Sequence, residues 1–311
     1  MTALVSKRVG VLMGGPSNER SVSLQSGRAV SAALTRLGHH VVEIDPTPAI
    51  GRQLEEAAVD VVFNALHGTY GEDGRLQGLL DWLQIPYTGE GVRASVLAFD
   101  KVLAKEMYRR SGVPIATDRV IRRGETDALD DRLGRIQLPV VVKPVSEGSS
   151  VGVHIVDTVD ELKGIVLAGE FDAYLIEDFV DGPEFSVVCV GDRCLGSVEI
   201  EPLRDFYDYS AKYEGAGTRY HIPPRVSESE RHAIEAVGLA AHQALGCSGL
   251  TRSDVILGAH GPIVLETNTL PGMTDQSLVP KVAASVGVEF DALIALILDG
   301  AGCRSMEVSH G

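Results

Sequence analysis

A chain of 311 residues is longer than one hydrophobic core usually serves, so two or three domains are expected. Its 44% hydrophobic content with 34 glycines suits a folded α/β enzyme and excludes a disordered class. The formal net charge of -15 argues against an extended nucleic-acid groove or binding to an anionic membrane, because both need clustered Lys and Arg; a nucleotide needs only a few local cations.

The first third alternates strand and helix patterns. "RVGVLMGG" reads as a strand running into a glycine turn, "ERSVSLQSGRAVSAALTRLG" as a helix closed by Gly38, and "HHVVEID" as a strand. "VDVVFNALHG" is a further strand ending in glycine, and Leu76, Leu79, Leu80 and Leu83 form a helical stripe. This βαβ order implies a parallel, Rossmann-like sheet with ligands beyond the strand C-termini. From about Ala94 the pattern changes: the charged helix "DKVLAKEMYRRSG", the strand "VPIATDRVI", then the apolar run Leu138–Val142 entering "KPVSEGSSVG". A helix introduced by the capping box Thr158–Glu161 follows, then the strand "AYLIEDFV" and an antiparallel pair, "GPEFSVVCVGDRCLGSVEI", with a Gly-Asp turn. Residues 201–225 show no period and hold four of the eight tyrosines, which favours a lid. A helix capped by Ser227–Glu230, the strands "GLTRSDVIL" and "PIVLETN", and two helices complete the chain.

Cys189, Cys194, Cys247 and Cys303 have no zinc or redox spacing and read as reduced, mostly buried thiols of a cytoplasmic protein. The N-terminus lacks a secretory h-region, and the longest apolar stretch, Ala292 to Leu298, is too short to span a bilayer, so a soluble protein is expected. No P-loop, no G-x-G-x-x-G after the first strand and no H-E-x-x-H occurs.

Two stretches carry candidate chemistry. Gly148–Gly152 spells a nucleophile elbow, but Val151–Val156 alternates as a strand, whereas an elbow serine needs a following helix; Ser150 is therefore not read as a nucleophile. What remains is a hairpin whose backbone N–H groups and Lys143 could cover an anion, or an ordinary polar hairpin. Arg252 with Asp254, and Glu266 with Asn268, share strand faces at i, i+2. If the strands are neighbours, two carboxylates and an amide converge as a hard-oxygen set suited to Mg²⁺; otherwise they form a solvent-facing polar side.

The segments "GGPSNERSVSLQSG", "ALHGTYGEDG", "DKVLAKEM", "VVKPVSEGSSVGV", "LIEDFVDGPEFSV", "DFYDYSAKY", "RSDV" and "LETNTLPGMTDQSLVP", in that order from about Val9 to Pro280, resemble the D-alanine:D-alanine ligase family of the ATP-grasp superfamily. The resemblance implies an α/β fold of three domains: residues 1–92 as an N-terminal parallel-sheet domain, 93–182 as the central ATP-grasp domain, and 183–311 as the catalytic domain with a lid loop at 202–225. It implies ATP held by Lys101, Lys143 and Lys212 at the phosphates, Glu177, Phe179 and Val180 beside the adenine, and Glu184 at the ribose. Asp254, Glu266 and Asn268 match ligands of two Mg²⁺ (or Mn²⁺) ions, with Glu266 bridging, and Arg252 and the Gly272 N–H match oxyanion donors. Glu19 matches the residue binding the first substrate's ammonium, His67 lies near that substrate in a catalytic or structural role, and Ser277 and Leu278 match the second substrate's pocket. Ser149 is expected to link Glu19 to Tyr213 and latch the lid, the tyrosine pointing to a dipeptide rather than a depsipeptide product. The implied reaction joins two D-alanines through an acyl phosphate for peptidoglycan precursor synthesis, in a cytoplasmic homodimer with neither nucleic-acid nor membrane partners. A ligase for another amino or hydroxy acid is the alternative, and a silent nucleotide-binding protein is a second, which the complete set Arg252, Asp254, Glu266 and Asn268 opposes.

Overall fold

The computed structural model describes residues 6–125, 136–148, 151–202, 218–274 and 276–303. β1 (Arg8–Leu12), α1 (Arg20–Arg36), β2 (His40–Ile44), α2 (Ile50–Ala57), β3 (Val61–Asn64) and α3 (Arg75–Trp82) build a three-stranded parallel sheet of order β2-β1-β3, as the βαβ pattern requires. Helices α4 (Val92–Phe99) and α5 (Lys101–Arg110) lead to β4 (Asp118–Arg122), β5 (Val140–Pro144) and β6 (His154–Val156); α6 (Val159–Ala168) and β7 (Ala173–Asp178) follow. These four strands form an antiparallel sheet of order β4-β7-β5-β6. β8 (Glu184–Val190), β9 (Arg193–Pro202), β10 (Thr218–His221), α7 (Glu228–Ala244), β11 (Leu250–Gly258) and β12 (Gly261–Asn268) supply a five-stranded antiparallel sheet of order β10-β9-β8-β11-β12. α8 (Leu278–Ser285) and α9 (Phe290–Asp299) end the described chain.

Apolar faces join these layers. Val9 and Val11 of β1 and Val30 and Leu34 of α1 pack in one core with Val282 of α8 and Leu293 and Ile294 of α9, so the first and last described elements meet. The opposite face of the parallel sheet buries Leu12, Ile44, Leu54, Leu80 and Tyr87. A third core sets Tyr108 of α5 and Ile234 and Ala241 of α7 against Phe185, Val187 and Val255 of the five-stranded sheet. The central sheet closes on α6 through Val142, Val156, Leu162 and Ile176.

The reciprocal capping box forms at Ser227 and Glu230, and Thr158 accepts the Glu161 N–H at 3.2 Å. The hairpin after Lys143 is confirmed by β5–β6 pairing, although its returning strand begins only at His154. Three elements escape the sequence pattern. α2 buries only Leu54, α4 is apolar on most of its surface and shows no clean stripe, and β10 lies inside the segment read as periodless, where edge pairing with β9 orders it. The thiols are free, but only Cys189 is fully buried and the other three are half-buried, Cys194 beside the β8–β9 turn, Cys247 in the connection from α7 to β11 and Cys303 after α9. Among the described residues no helix is long and apolar enough to cross a membrane.

α7 approaches the sheet closely at Gly238, where an added Cβ would fall 2.6 Å from Val187 Cβ. Gly238→Ala is expected to destabilise the fold, since overpacking costs about 1–3 kcal/mol and outweighs the roughly 1 kcal/mol gained in helix propensity. A lowered denaturant midpoint at unchanged slope checks this.

Candidate active site

The β11–β12 ladder decides the polar constellation. Asp254 stands directly opposite Glu266, and Arg252 opposite Asn268, so the two i, i+2 pairs face one another with a bulge after Asp254. Asp254 is only 4% exposed, which removes the solvent-facing alternative. Its charge is met by both arms of Arg252, from Nε at 2.9 Å and a terminal nitrogen at 2.8 Å, and by the Ser186 hydroxyl at 2.5 Å from the adjoining β8. Asn268 turns its amide oxygen back to accept the Leu270 N–H at 2.9 Å, which starts the turn carrying Gly272.

Two cavities meet at Asp254. One, of about 320 Å³, lies between the four- and five-stranded sheets and is lined by Lys101, Lys143, Glu177, Phe179, Val180, Glu184, Asp254 and Glu266. The other, of about 310 Å³, is lined by Val22, Ser186, Tyr220, Arg252, Asp254, Gly272, Ser277 and Leu278. The first has apolar walls, Val141, Ile155, Ile256 and Leu265 among them, with cations at one end, the division that a purine with phosphates requires.

The cations are held deliberately. Asp100 caps α5 by accepting the Val102 and Leu103 N–H groups, which places Lys101 at the cavity; its Nζ donates to Glu147 O at 2.5 Å and lies 3.6 Å from Glu266. Burial drives the Lys101 ammonium below its ordinary pKa, with Lys143 adding to that and Glu266 opposing it. Lys143, on β5, pairs with Glu177 of the adjacent β7 at 2.5 Å; burial would lower its pKa, but Glu177 and Glu266 raise it above the usual value. Glu177, 3% exposed, is lowered overall because Lys143 and Lys105 outweigh its desolvation.

The end of the parallel sheet supplies a second polar group. His67 Nδ1 donates to Leu270 O at 2.8 Å, and its Nε2 meets the Ser26 hydroxyl at 3.2 Å; Ser26 in turn accepts the Met273 N–H at 3.1 Å. These bonds tie the N-terminal sheet to the turn after β12. Glu72 lies 3.6 Å from His67. The Glu19 carboxylate is wedged between Gly68 and Gly148, where an added Cβ would meet its oxygen at 2.7 and 3.0 Å. Ser277 Oγ accepts from the Thr274 N–H at 3.0 Å, and a Cβ on Gly272 would strike it at 2.8 Å, so only glycine leaves that backbone clear.

The C-terminal model for D-ala D-ala ligases matches residues 107–299, and the N-terminal model of the same ligases matches residues 46–90. The chain belongs to the D-alanine:D-alanine ligase family. It is 45% identical over 308 residues to a D-alanine–D-alanine ligase of Anaeromyxobacter dehalogenans, covering 98% of this chain and 100% of that one. Identity is 48% to the ligase of Geobacter sulfurreducens, at 95% and 94% coverage. Among solved structures, the Bacillus anthracis ligase complexed with ATP superposes with a TM-score of 0.83 at 33% identity, covering 95% and 96%. The VanG D-Ala:D-Ser ligase of Enterococcus faecalis gives 0.82 at 27%, covering 95% and 99%. The fold is the α/β ATP-grasp architecture, with a parallel and two antiparallel sheets.

In this ligase chain the residues singled out in the sequence fall into the two cavities and the histidine cluster, with Asn268 and Glu19 at their margins. Ser149, Lys212 and Tyr213 lie outside the described residues, as does Ser150. Sequence reading missed Glu72, Ser26, Ser186 and Lys105. All four lie within quoted motifs, Ser26 in "GGPSNERSVSLQSG", Glu72 in "ALHGTYGEDG", Lys105 in "DKVLAKEM" and Ser186 in "LIEDFVDGPEFSV", but only the register opposite Asp254 shows what Ser186 faces.

Burial lowers the His67 imidazolium, but Glu72 and then Glu19 outweigh it and raise its pKa above the ordinary value. Burial first, then Glu19, raises the Glu72 carboxyl. Glu72→Gln removes the carboxylate that most raises the histidine, so His67 is expected to titrate at lower pH than in the unmodified chain; following its ring protons by NMR across pH checks the direction.

Proposed function

We propose that the chain ligates two D-alanines into D-alanyl-D-alanine with ATP cleaved to ADP and phosphate, supplying a peptidoglycan precursor. The observation that carries this reading is the meeting of two cavities at Asp254, one shaped for a nucleotide and one for a small polar substrate, with Arg252 at the junction. Lys101 and Lys143 hold the phosphates, Glu177, Phe179 and Val180 border the adenine, and Glu184 meets the ribose. Glu19 and His67 position the first D-alanine, and its carboxylate attacks the γ-phosphate in line to give an acyl phosphate. Asp254, Glu266 and Asn268 are hard-oxygen donors, with the two carboxylates on one cavity wall, and would hold two Mg²⁺ or Mn²⁺ ions that neutralise charge on the transferring oxygens. The second D-alanine, its carboxylate at Ser277 and Leu278, attacks the acyl carbon, and Arg252 with the Gly272 N–H stabilises the oxyanion. The fork that Arg252 gives Asp254, from Nε at 2.9 Å and a terminal nitrogen at 2.8 Å, supports a role for it toward a negatively charged group.

We further infer a division into residues 1–92, 93–182 and 183–311, a homodimer as the working unit and the cytoplasm as its compartment. The two preceding breaks fall between sheets: after β3 and α3, and between β7 and β8. The VanG relative is by name a D-Ala:D-Ser ligase, so D-serine belongs among the acceptors tested.

The purified chain is expected to release ADP with D-alanine, Mg²⁺ and ATP together and not with L-alanine; turnover with L-alanine equal to that with D-alanine sinks the reading, and parallel reactions with D-lactate and D-serine define the acceptor. Arg252→Lys is expected to lower kcat roughly 100-fold, because one ammonium cannot reproduce a planar fork aimed at an oxyanion. A loss below tenfold in steady-state ADP release removes Arg252 from that role.

A further inference from the structure

Lys105 is among the largest fully buried side chains of the fold, 1% exposed on the inner face of α5, and nothing in the reaction described above uses it. A lysine is almost never buried so completely without a specific partner. Its ammonium donates to Ala116 O at 3.0 Å, lies 3.5 Å from Asp118 on β4, and pairs with Oε1 of Glu177 on β7. The other carboxylate oxygen of Glu177 pairs with Lys143. One buried carboxylate thus stands between two lysines that differ in access: Lys143 lines the nucleotide cavity, whereas Lys105 lies behind its wall.

We propose that Lys105 is a positioning residue of the nucleotide site, the fixed counter-ion that keeps Glu177 charged and in place when Lys143 turns from it to a phosphate of the incoming nucleotide. The charge count supports this division of labour. Arg109 also pairs with Asp118, so once Lys143 has turned away, Lys105 and Arg109 still face Glu177 and Asp118, two cations against two carboxylates. Without Lys105 the same movement would leave two inward carboxylates with only Arg109, a side chain 43% exposed, and an uncompensated buried charge opposes the step that strands it. Lys105 cannot itself follow the phosphate, because Ala116 O and Asp118 hold it from the far side. Lys101, itself assigned to the phosphates, bonds Glu147 O and faces Glu266 rather than Glu177, and does not substitute for it.

The test uses the full chain with Mg²⁺ and compares Lys105→Met and Lys105→Arg by calorimetric ATP titration and steady-state kinetics. Lys105→Met is expected to weaken ATP binding and raise KM for ATP about tenfold or more, with the smaller share of the loss in kcat, and Lys105→Arg to recover most of the affinity. ATP binding by Lys105→Met within twofold of the unmodified chain, a loss confined to kcat, or no recovery with arginine overturns the proposal. Should the methionine variant fail to fold, Lys105→Met/Glu177→Gln decides: removing both charges is expected to restore a cooperative melt, and a double variant no more stable than the single one overturns it. The inference rests on ATP being the nucleotide; an unmodified chain that does not bind ATP in the same titration sinks both readings, whereas normal binding by the unmodified and methionine chains alike sinks only the role of Lys105.

Discussion

The register of β11 against β12 is the constraint on which the site depends. It puts Asp254 opposite Glu266 and Arg252 opposite Asn268, and a slip of one residue would leave one strand's pair on the opposite face from the other's. A carboxylate as buried as Asp254 needs charge and hydrogen bonds close by, and Arg252 and Ser186 provide them from its own strand and from β8. Because Asp254 lines both cavities, the pairing that neutralises it stands at their junction.

The charge economy of the cavity between the four- and five-stranded sheets follows a similar logic. An overall charge of -15 would repel a polyanion, yet the cavity brings Lys101 and Lys143 together and sets Lys105 behind them. Packing like charges in a low-dielectric cleft is tolerable only with carboxylates among them, and Glu177 and Glu266 serve as those spacers. The opposite shifts of Lys101 and Lys143 record the balance: desolvation prevails at Lys101, whereas Glu177 and Glu266 prevail at Lys143.

The parallel sheet contributes by being tied to the others at its C-terminal end. His67 reaches Leu270, Ser26 reaches Met273, and Glu19 sits against the hairpin at Gly148, so this polar cluster is assembled from elements attached to three separate sheets. The apolar core shared by α1, α8 and α9 supplies the mechanical support, and the polar links supply orientation.

The amino-acid sequence by itself determined the alternation of strands and helices, the end of β1 in a glycine turn, the capping box at Ser227 and the i, i+2 spacing of the acidic residues, because these depend on neighbours a few residues away. Its motif order also reached the family, since matched spacing over most of the chain narrows the choice far more than any single residue. The tertiary structure alone decided that the two acidic strands are neighbours, that β10 completes a sheet inside an apparently periodless segment, and that Glu72, Ser186 and Lys105 support His67, Asp254 and Glu177. Lys105 looks in the sequence like one more cation on a charged helix; only the packing of α5 against the edge of the central sheet takes its ammonium out of water. Burial and long-range pairing are properties of the assembled surfaces, and the cost of desolvating a charge, which gives such a residue its role, does not exist until those surfaces meet.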